Sequence, residues 1–233
     1  MKFKLIILSL FVMFFFNACA PKNISPAKLK TISNIGVLSL HGNEMASLER
    51  GLTIFGNEDN ITDITSWKID EYIQKEMTNM LSSKYKITDV ILTPFQNKEI
   101  DEEYEKRIAI LKDIIVKNKL DALIIFEKGA IIYEHHDVHR GIGVIKAKTL
   151  GFESTYIKLN MNLISYDIVK DKVEQLHFNN IKFKKESLKL IENSLWVDTT
   201  KPLPIESIKV LEPIVKKMLR ESLLKEFKEI GYL

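Results

Sequence analysis

The stretch Asp121-Ala-Leu-Ile-Ile-Phe126 decides the fold class of this 233-residue chain. Its unbroken apolar run, from Ala122 to Phe126, is typical of a central β-strand that is buried on both faces. A strand of that kind needs a layer of helices or another sheet on each side. We therefore expect an α/β (α+β) domain in which helices pack on a mixed sheet around this strand.

Two predicted strands, each followed by an amphipathic helix, precede this stretch. The strands are Ile32 to Leu40 and Lys86 to Leu92. After each strand, apolar residues recur every three or four positions, which is the period of a helix with one buried side. These positions are Ile69, Tyr72, Ile73, Met77, Met80 and Leu81, and then Tyr104, Ile108, Leu111 and Ile115. The short runs 51–56 and 61–64 predict a hairpin or an ordered loop.

The chain after residue 150 has a different pattern. Tyr156 to Tyr166 alternates between apolar and polar residues, which predicts a half-solvated antiparallel strand. Val173 to Phe183 returns as its partner, with a bulge expected at Asn179-Asn180, where the apolar phase slips. A last helix carries a wide apolar stripe and ends at Gly231. The pattern predicts one two-layer or three-layer domain over 32–233, with about five strands and three main helices.

The N-terminus has the features of an export signal. Lys2 and Lys4 precede an apolar run from Leu5 to Phe16, and Asn17 and Ala18 follow it. A charged start, a short apolar core and a small final residue are typical of secretory signals. The run is too short to span a bilayer, since a transmembrane helix needs about twenty apolar residues. We therefore predict a signal peptide over 1–18.

Cys19 is the only cysteine of the chain. Ala18-Cys19 resembles the lipobox of bacterial lipoproteins, although that family prefers other residues where this chain has Phe16 and Asn17. The resemblance implies that Cys19 is acylated and anchors the protein to a membrane through a tether over 19–31. Ala20, where inner-membrane lipoproteins usually have Asp, implies the periplasmic face of the outer membrane. The alternatives are an ordinary signal peptide and an uncleaved anchor.

Composition argues against nucleic acid as a partner. The formal net charge is +3, and it falls to +1 when Lys2 and Lys4 are removed with the signal peptide. A nearly neutral chain lacks the basic surface that phosphate backbones require. Only four basic residues are arginines, so the bidentate contacts typical of base recognition are scarce.

One cluster, Glu134-His135-His136-Asp137-Val138-His139, could carry chemistry. Imidazole and carboxylate groups bind zinc and related ions, so His135, His136 and His139 are candidate metal ligands. Their spacing fits neither the zincin motif nor its inverse. The alternatives are a solvated loop and a loop that titrates near pH 6.5. We expect no resident cofactor and no enzyme activity, with a metal-dependent enzyme as the alternative.

Trp196 and the basic run Lys182-Lys184-Lys185 are the remaining candidates. Trp196 precedes the last helix and is expected to pack beneath it, although a Trp at this position could also anchor a partner. The lysine run predicts a solvated strand face or a contact with anionic lipid.

The order of predicted elements resembles a fold shared by several periplasmic proteins. These are the curli secretion lipoprotein, the lipoprotein activators of penicillin-binding proteins and the N-terminal domain of the Tol propeller protein. The residues that carry the resemblance are Ile32 to Leu40, Asp121 to Phe126, Ile157 to Tyr166 with its hairpin, and the last helix. It implies a binding or assembly role in the cell envelope, with an envelope protein as partner. An oligomeric export component, whose segment 133–152 enters the membrane, is the alternative.

Overall fold

The fold is known from a computed structural model, which describes residues 24–51, 57–100, 103–129, 139–181 and 185–233. The helices are α1 (Pro26–Leu29), α2 (Ile69–Leu81), α3 (Pro94–Glu99), α4 (Tyr104–Lys117) and α5 (Ile205–Ile230). The strands are β1 (Asn34–Leu40), β2 (Glu44–Arg50), β3 (Glu58–Asp63), β4 (Lys86–Asp89), β5 (Ala122–Lys128), β6 (Gly141–Thr149), β7 (Phe152–Val169), β8 (Lys172–Asn180) and β9 (Leu188–Ile191). The expected mixed α+β class is confirmed, in one mixed sheet of nine strands.

The sheet has more strands than the five expected, because four of its five rows contain two strands placed end to end. β1 pairs in parallel with β5, and β2, which follows β1, pairs in parallel with β6. The 18-residue β7 lies antiparallel to both, with Met161 opposite Lys128 of β5 and Asn160 opposite Gly141 of β6. We call β1, β4, β5, β8 and 161–169 the proximal half, and β2, β3, β6, β9 and 152–160 the distal half.

Helices cover both faces of the proximal half. Alternate residues of β5 point to opposite faces, and both sets are apolar, so each face needs its own apolar layer. On the inner face, Ile124 and Phe126 lie in one buried cluster with residues of α2 and α5. On the outer face, Leu123 and Ile125 lie in a second cluster with Leu111 of α4. The proximal half is therefore a three-layer arrangement.

The distal half is covered differently. Its inner face carries Met45, Val144 and Ile157, which belong to the same cluster as α2 and α5. Ser207 of α5 donates to Leu195 O beside this half, and Tyr232, just beyond α5, donates to Ser165 Oγ in the proximal half. One long helix thus follows the inner face of both halves. On the outer face of the distal half, the described residues include no helix.

The packed domain begins earlier than the sequence indicated. Ile24 is buried in the core and the side chain of Ser25 accepts a hydrogen bond from the Lys28 N–H at the start of α1. Lys28 forms an ion pair with Asp167 near the end of β7. The predicted tether over 19–31 is therefore wrong for residues 24–31, because the apolar side chain of Ile24 packs on the core. Residues 24–29 lie at the end of the proximal half that is farther from the distal half, near Asp167.

The bulge expected at Asn179-Asn180 is also misplaced. Both residues pair regularly with β7, and the register shifts instead between Ser165 and Tyr166, which lie opposite His177 and Gln175. The intervening residue of β8 is the extra one, as a bulge requires.

Several elements were not expected from the sequence. Strands β2 and β9 and the short helix α3 fall on segments for which the sequence predicted no element. The Gly141-Ile-Gly143 segment, whose glycines indicate a turn or a strand kink, is the start of β6. β2, β6 and β9 belong to the distal half, so the sequence predicted the strands of the proximal half far better than those of the distal one.

Candidate functional site

Three of the predicted site residues, Cys19, His135 and His136, lie outside the described residues. The predictions about lipidation and about a metal loop therefore remain predictions. The basic side chains of Lys182, Lys184 and Lys185 are also outside the described part of the structure. His139 and Trp196 are described, and both are buried.

His139 sits immediately before β6, against the sheet. A Cβ placed on Gly143 would come within 2.6 Å of the His139 ring, so the ring packs directly over that glycine. Its Nε2 lies 3.3 Å from Lys158 O. A carbonyl can only accept, so Nε2 carries the proton in this arrangement. Among the described residues there is no group of three side chains placed to hold a metal ion.

Trp196 is fully buried in the main apolar cluster. Its indole Nε1 donates to Lys201 O at 3.0 Å, and its carbonyl accepts from Lys146 Nζ at 3.0 Å. The indole is therefore part of the domain's own core. Contact with a partner would require it to leave that core.

The boundary between the two halves holds a polar group that the sequence did not reveal. Asp70, in the first turn of α2, accepts hydrogen bonds from Ser39 Oγ at 2.6 Å, from the His41 N–H at 2.7 Å and from the Gly42 N–H at 2.9 Å. These donors lie at the end of β1 and in the bend before β2. Asp70 thus fixes the bend that connects the halves, on the inner face of the sheet.

His41 connects the same bend to β6. Its Nδ1 lies 2.9 Å from Gly42 O, and its Nε2 lies 3.2 Å from the Ile142 N–H. The first partner is an acceptor and the second a donor, so the ring is neutral with the proton on Nδ1. Burial lowers the pKa of His41, and the nearby Lys128 ammonium lowers it further, whereas Gly42 O and Asp70 act to raise it. A proton added at Nε2 would break the hydrogen bond from Ile142.

An apolar surface lies on the outer face of the distal half, where β7 meets the edge strand β9. Tyr156 lies opposite Leu190 and Lys158 lies opposite Leu188. Phe152, two pleats before Tyr156, points to the same face. Phe152 is 80% exposed, Leu190 68% and Leu188 49%. We call Phe152, Tyr156, Leu188 and Leu190 the β7–β9 patch.

The patch has an open side. In the described part of the chain β9 pairs only with β7, so the other edge of β9 presents backbone N–H and C=O groups that lack a strand partner. The hairpin turn at Leu150-Gly151 is next to the patch, with φ values of 47° and 86°, as a two-residue type I′ turn requires. Leu150 is 79% exposed at this tip, and it extends the apolar surface to the far end of the molecule.

The β7–β9 patch is remote from the point where the chain enters the domain. Lys28 of α1 binds Asp167, near the Val169 end of β7. Tyr156 is roughly 40 Å from Val169 along the strand, at about 3.3 Å per residue. The N-terminal segment and the patch therefore lie toward opposite ends of the sheet.

Little in the sequence indicates this patch. Leu188-Lys-Leu-Ile191 alternates for only four residues, too short a run to identify a strand. Its exposed leucines form part of a larger apolar surface only because β9 lies beside Tyr156 and Phe152 of β7. Single exposed apolar residues are common on protein surfaces, whereas contiguous ones mark binding sites.

Comparisons with known proteins find similarity in structure but not in sequence. No family model matches the chain, and no curated protein matches it in sequence. The 1.65 Å resolution structure of the hypothetical protein CT253 from Chlamydia trachomatis is similar to this chain, with a TM-score of 0.40 and 9% sequence identity. The similarity covers 87% of this chain and 98% of that one.

None of the described helices combines enough length with enough apolar character to cross a bilayer. The longest, α5, carries charged residues along its exposed side, such as Lys217 and Glu221.

Proposed function

We propose that this protein is a lipid-anchored protein of the bacterial cell envelope that binds another protein through the β7–β9 patch, as an accessory or assembly factor. The observation that carries the proposal is the exposed apolar patch on an open edge strand. The lipobox-like Ala18-Cys19 supports the anchor, with the periplasmic face of the outer membrane as the proposed location. The proposal includes no catalytic step.

The chemistry of the patch favours a partner that contributes an extended segment. An added strand could pair with the open edge of β9 and gain main-chain hydrogen bonds, and its alternate side chains could pack beside Leu188 and Leu190. Aromatic residues such as Phe152 and Tyr156 contribute strongly to interfaces of this kind. Lys189 points to the opposite face of the strand, whereas Lys158, opposite Leu188, lies at the border of the apolar surface.

The anchor and the patch together define where the partner is bound. Ile24 is already part of the core, so only four residues separate it from Cys19. Five extended steps reach roughly 17 Å at most, at about 3.3 Å each. The lipid would hold the proximal end close to the bilayer, and the patch would face a partner about 40 Å further along the sheet.

Site-specific crosslinking tests the patch. A photoreactive amino acid at position 190 or 152 of the full chain, in its own cells, should give a crosslinked product of one defined mass. The same amino acid at Val116, which is 60% exposed on α4, is the matched control and should not give it. Leu188→Asp should remove the product formed from position 152. Equal products from positions 190 and 116 would contradict the proposed surface.

Acyl labelling tests the anchor separately. Cells that produce the wild-type chain should incorporate a fatty acid label into the protein, and cells that produce Cys19→Ala should not, because the thiol is the only acceptor of its kind in the chain. Equal labelling of the two chains would remove the lipoprotein proposal and leave the patch proposal intact.

A further inference from the structure

A cleft lies in the proximal half, where the connections to two neighbouring parallel strands run on opposite faces of the sheet. β1 and β4 are adjacent and parallel. The helix that precedes β4, α2, packs on the inner face with Ile73 and Met77, whereas α4, which follows β4, packs on the outer face with Leu111. Connections that diverge to opposite faces leave a crevice at the carboxyl ends of two neighbouring strands, and ligands of open α/β sheets bind in such crevices.

The crevice is present here as a cavity of 510 Å³. Leu38 and Leu40 of β1 and Val90 just after β4 give it apolar walls. Gln74 of α2 closes its base, since its Nε2 donates to Val37 O at 3.3 Å and to Val90 O at 3.0 Å. Polar side chains of α2 and Asp89 line its rim beside these apolar walls. A cavity of a few hundred Å³ has the size of a small-molecule site.

A second cavity of 260 Å³ continues from the first toward the boundary between the halves. Leu40 and Asn97 line both cavities, so the two lie side by side with these residues as a shared wall. The second one is polar. Lys128 and Arg140 line it, and Lys128 lies beside Gly42, with Nζ 4.0 Å from where a Cβ on that glycine would be.

The carboxylates of this second cavity are already engaged within the protein. Both oxygens of Asp70 accept hydrogen bonds from the bend after β1. Glu127 accepts from Arg107 Nη2 at 2.6 Å. Among the described residues, the carboxylate that pairs with Lys128 is the exposed Glu44, at 3.8 Å, and Arg140 donates from Nε to Gly129 O. Positive charge on Lys128 and Arg140 is therefore left to attract an anion.

We propose that this double cavity binds a small amphipathic anion. Its apolar part would lie against Leu38, Leu40 and Val90, and its carboxylate or phosphate would contact Lys128 and Arg140. Burial of a short alkyl chain supplies affinity in proportion to its area, and charge-assisted hydrogen bonds fix the orientation. The site lies in the proximal half, apart from the β7–β9 patch, so it is independent of the proposed partner surface.

Photoaffinity labelling of the full chain in lipid nanodiscs tests the site. The probe is octanoate that carries a terminal diazirine, and labelled peptides are identified by mass spectrometry. Label should concentrate in peptides that contain 38–40 or 90–92. Octanoate and octyl phosphate should compete with the probe. The ratio of their half-inhibitory concentrations shows which head group is preferred. Acetate lacks the apolar part and octanol lacks the charge, so both should compete at least about tenfold more weakly.

Variants separate the two parts of the site. Lys128→Gln combined with Arg140→Gln should raise the half-saturating probe concentration about tenfold. Lys172→Gln with Lys189→Gln, two exposed lysines elsewhere, should leave it unchanged. Asn97→Trp, at an exposed position of the shared wall, should block labelling by filling the cavity. Label spread evenly over the surface, or equal labelling of wild type and the Lys128/Arg140 variant, would overturn the proposal.

Discussion

The two halves of the sheet share strand β7 but bury it in different ways. In the proximal half helices cover both faces, and Phe126 and Leu123 on opposite faces of β5 are both fully buried. In the distal half the inner face packs on the core, whereas the outer face buries Ile145 but leaves Phe152 and Leu190 exposed on its β7–β9 side. Apolar surface that is covered contributes to stability, and apolar surface that is left exposed is available for binding. Under the proposed function, the covered half contributes mainly to stability and the exposed apolar surface of the other half binds the partner.

The largest expected effect is a core substitution in the proximal half. Phe126→Ala should lower the free energy of unfolding by about 3 to 5 kcal/mol, because it removes a fully buried ring and leaves a cavity. Leu190→Ala on the patch should change it by no more than about 0.5 kcal/mol. Urea unfolding of the two variants measures both values. Similar losses would show that the distal outer face is buried in the folded protein, and the comparison would fail.

A second substitution addresses the boundary between the halves. Asp70→Asn should cost about 2 to 3 kcal/mol in urea unfolding, since an amide cannot accept from Ser39, His41 and Gly42 at once. Asp63→Asn is the matched control, because Asp63 also accepts from a backbone N–H and a hydroxyl, both of Thr65, but in an exposed turn. Its loss should be much smaller. An equally small loss for Asp70→Asn would mean that the bend does not depend on this carboxylate.

A third prediction concerns the contact between His139 and Gly143 in the distal half. Gly143→Ala should lower the free energy of unfolding by about 1 to 3 kcal/mol, because the new methyl group overlaps the ring. In a His139→Ala background the same substitution should cost little. This double-mutant cycle isolates the contact. If Gly143→Ala lowers the free energy of unfolding equally in the wild type and in His139→Ala, the ring does not pack on Gly143 in solution.

The smallest expected effect is a pH dependence at the boundary. The lowered pKa of His41 means that the unfolded chain takes up a proton near pH 6.5 while the folded chain resists it. This group therefore contributes its full stability above pH 6.5 and loses it progressively as the pH falls below that value. Between pH 7.5 and pH 5.5, His41→Gln should lose less stability than the wild type. If the free energy of unfolding falls equally with pH in both proteins, a contribution from His41 is excluded.

The sequence predicted the proximal half because its signals are long and local. The apolar run Ala122 to Phe126 and the periodic faces of α2, α4 and α5 extend over many residues, so the pattern identified each element. The strands of the distal half are short or mixed in character. β2 carries Glu44, Glu49 and Arg50, and only its pairing with β3 and β6 makes it a strand.

The candidate sites were harder to predict, for a physical reason. The sequence drew attention to His135, His136 and His139 because metal-binding residues are close together in the chain. The boundary group instead joins His41 to Asp70, and the cleft joins β1 to β4 and to Lys128, through long-range contacts. Sequence spacing carries no information about such contacts unless the strand order is already known.

The continuity of β7 has a consequence for how the chain folds. β7 is the strand to which β5, β6, β8 and β9 all pair, so neither half can form its complete sheet until residues 152–169 are available for pairing. The C-terminal helix α5 arrives last and closes the shared inner face, with Phe227 and Tyr232 in edge-to-face contact at its end. Pairings between residues distant in sequence form slowly. We therefore expect the two halves to fold together, once β7 and α5 are both available to them.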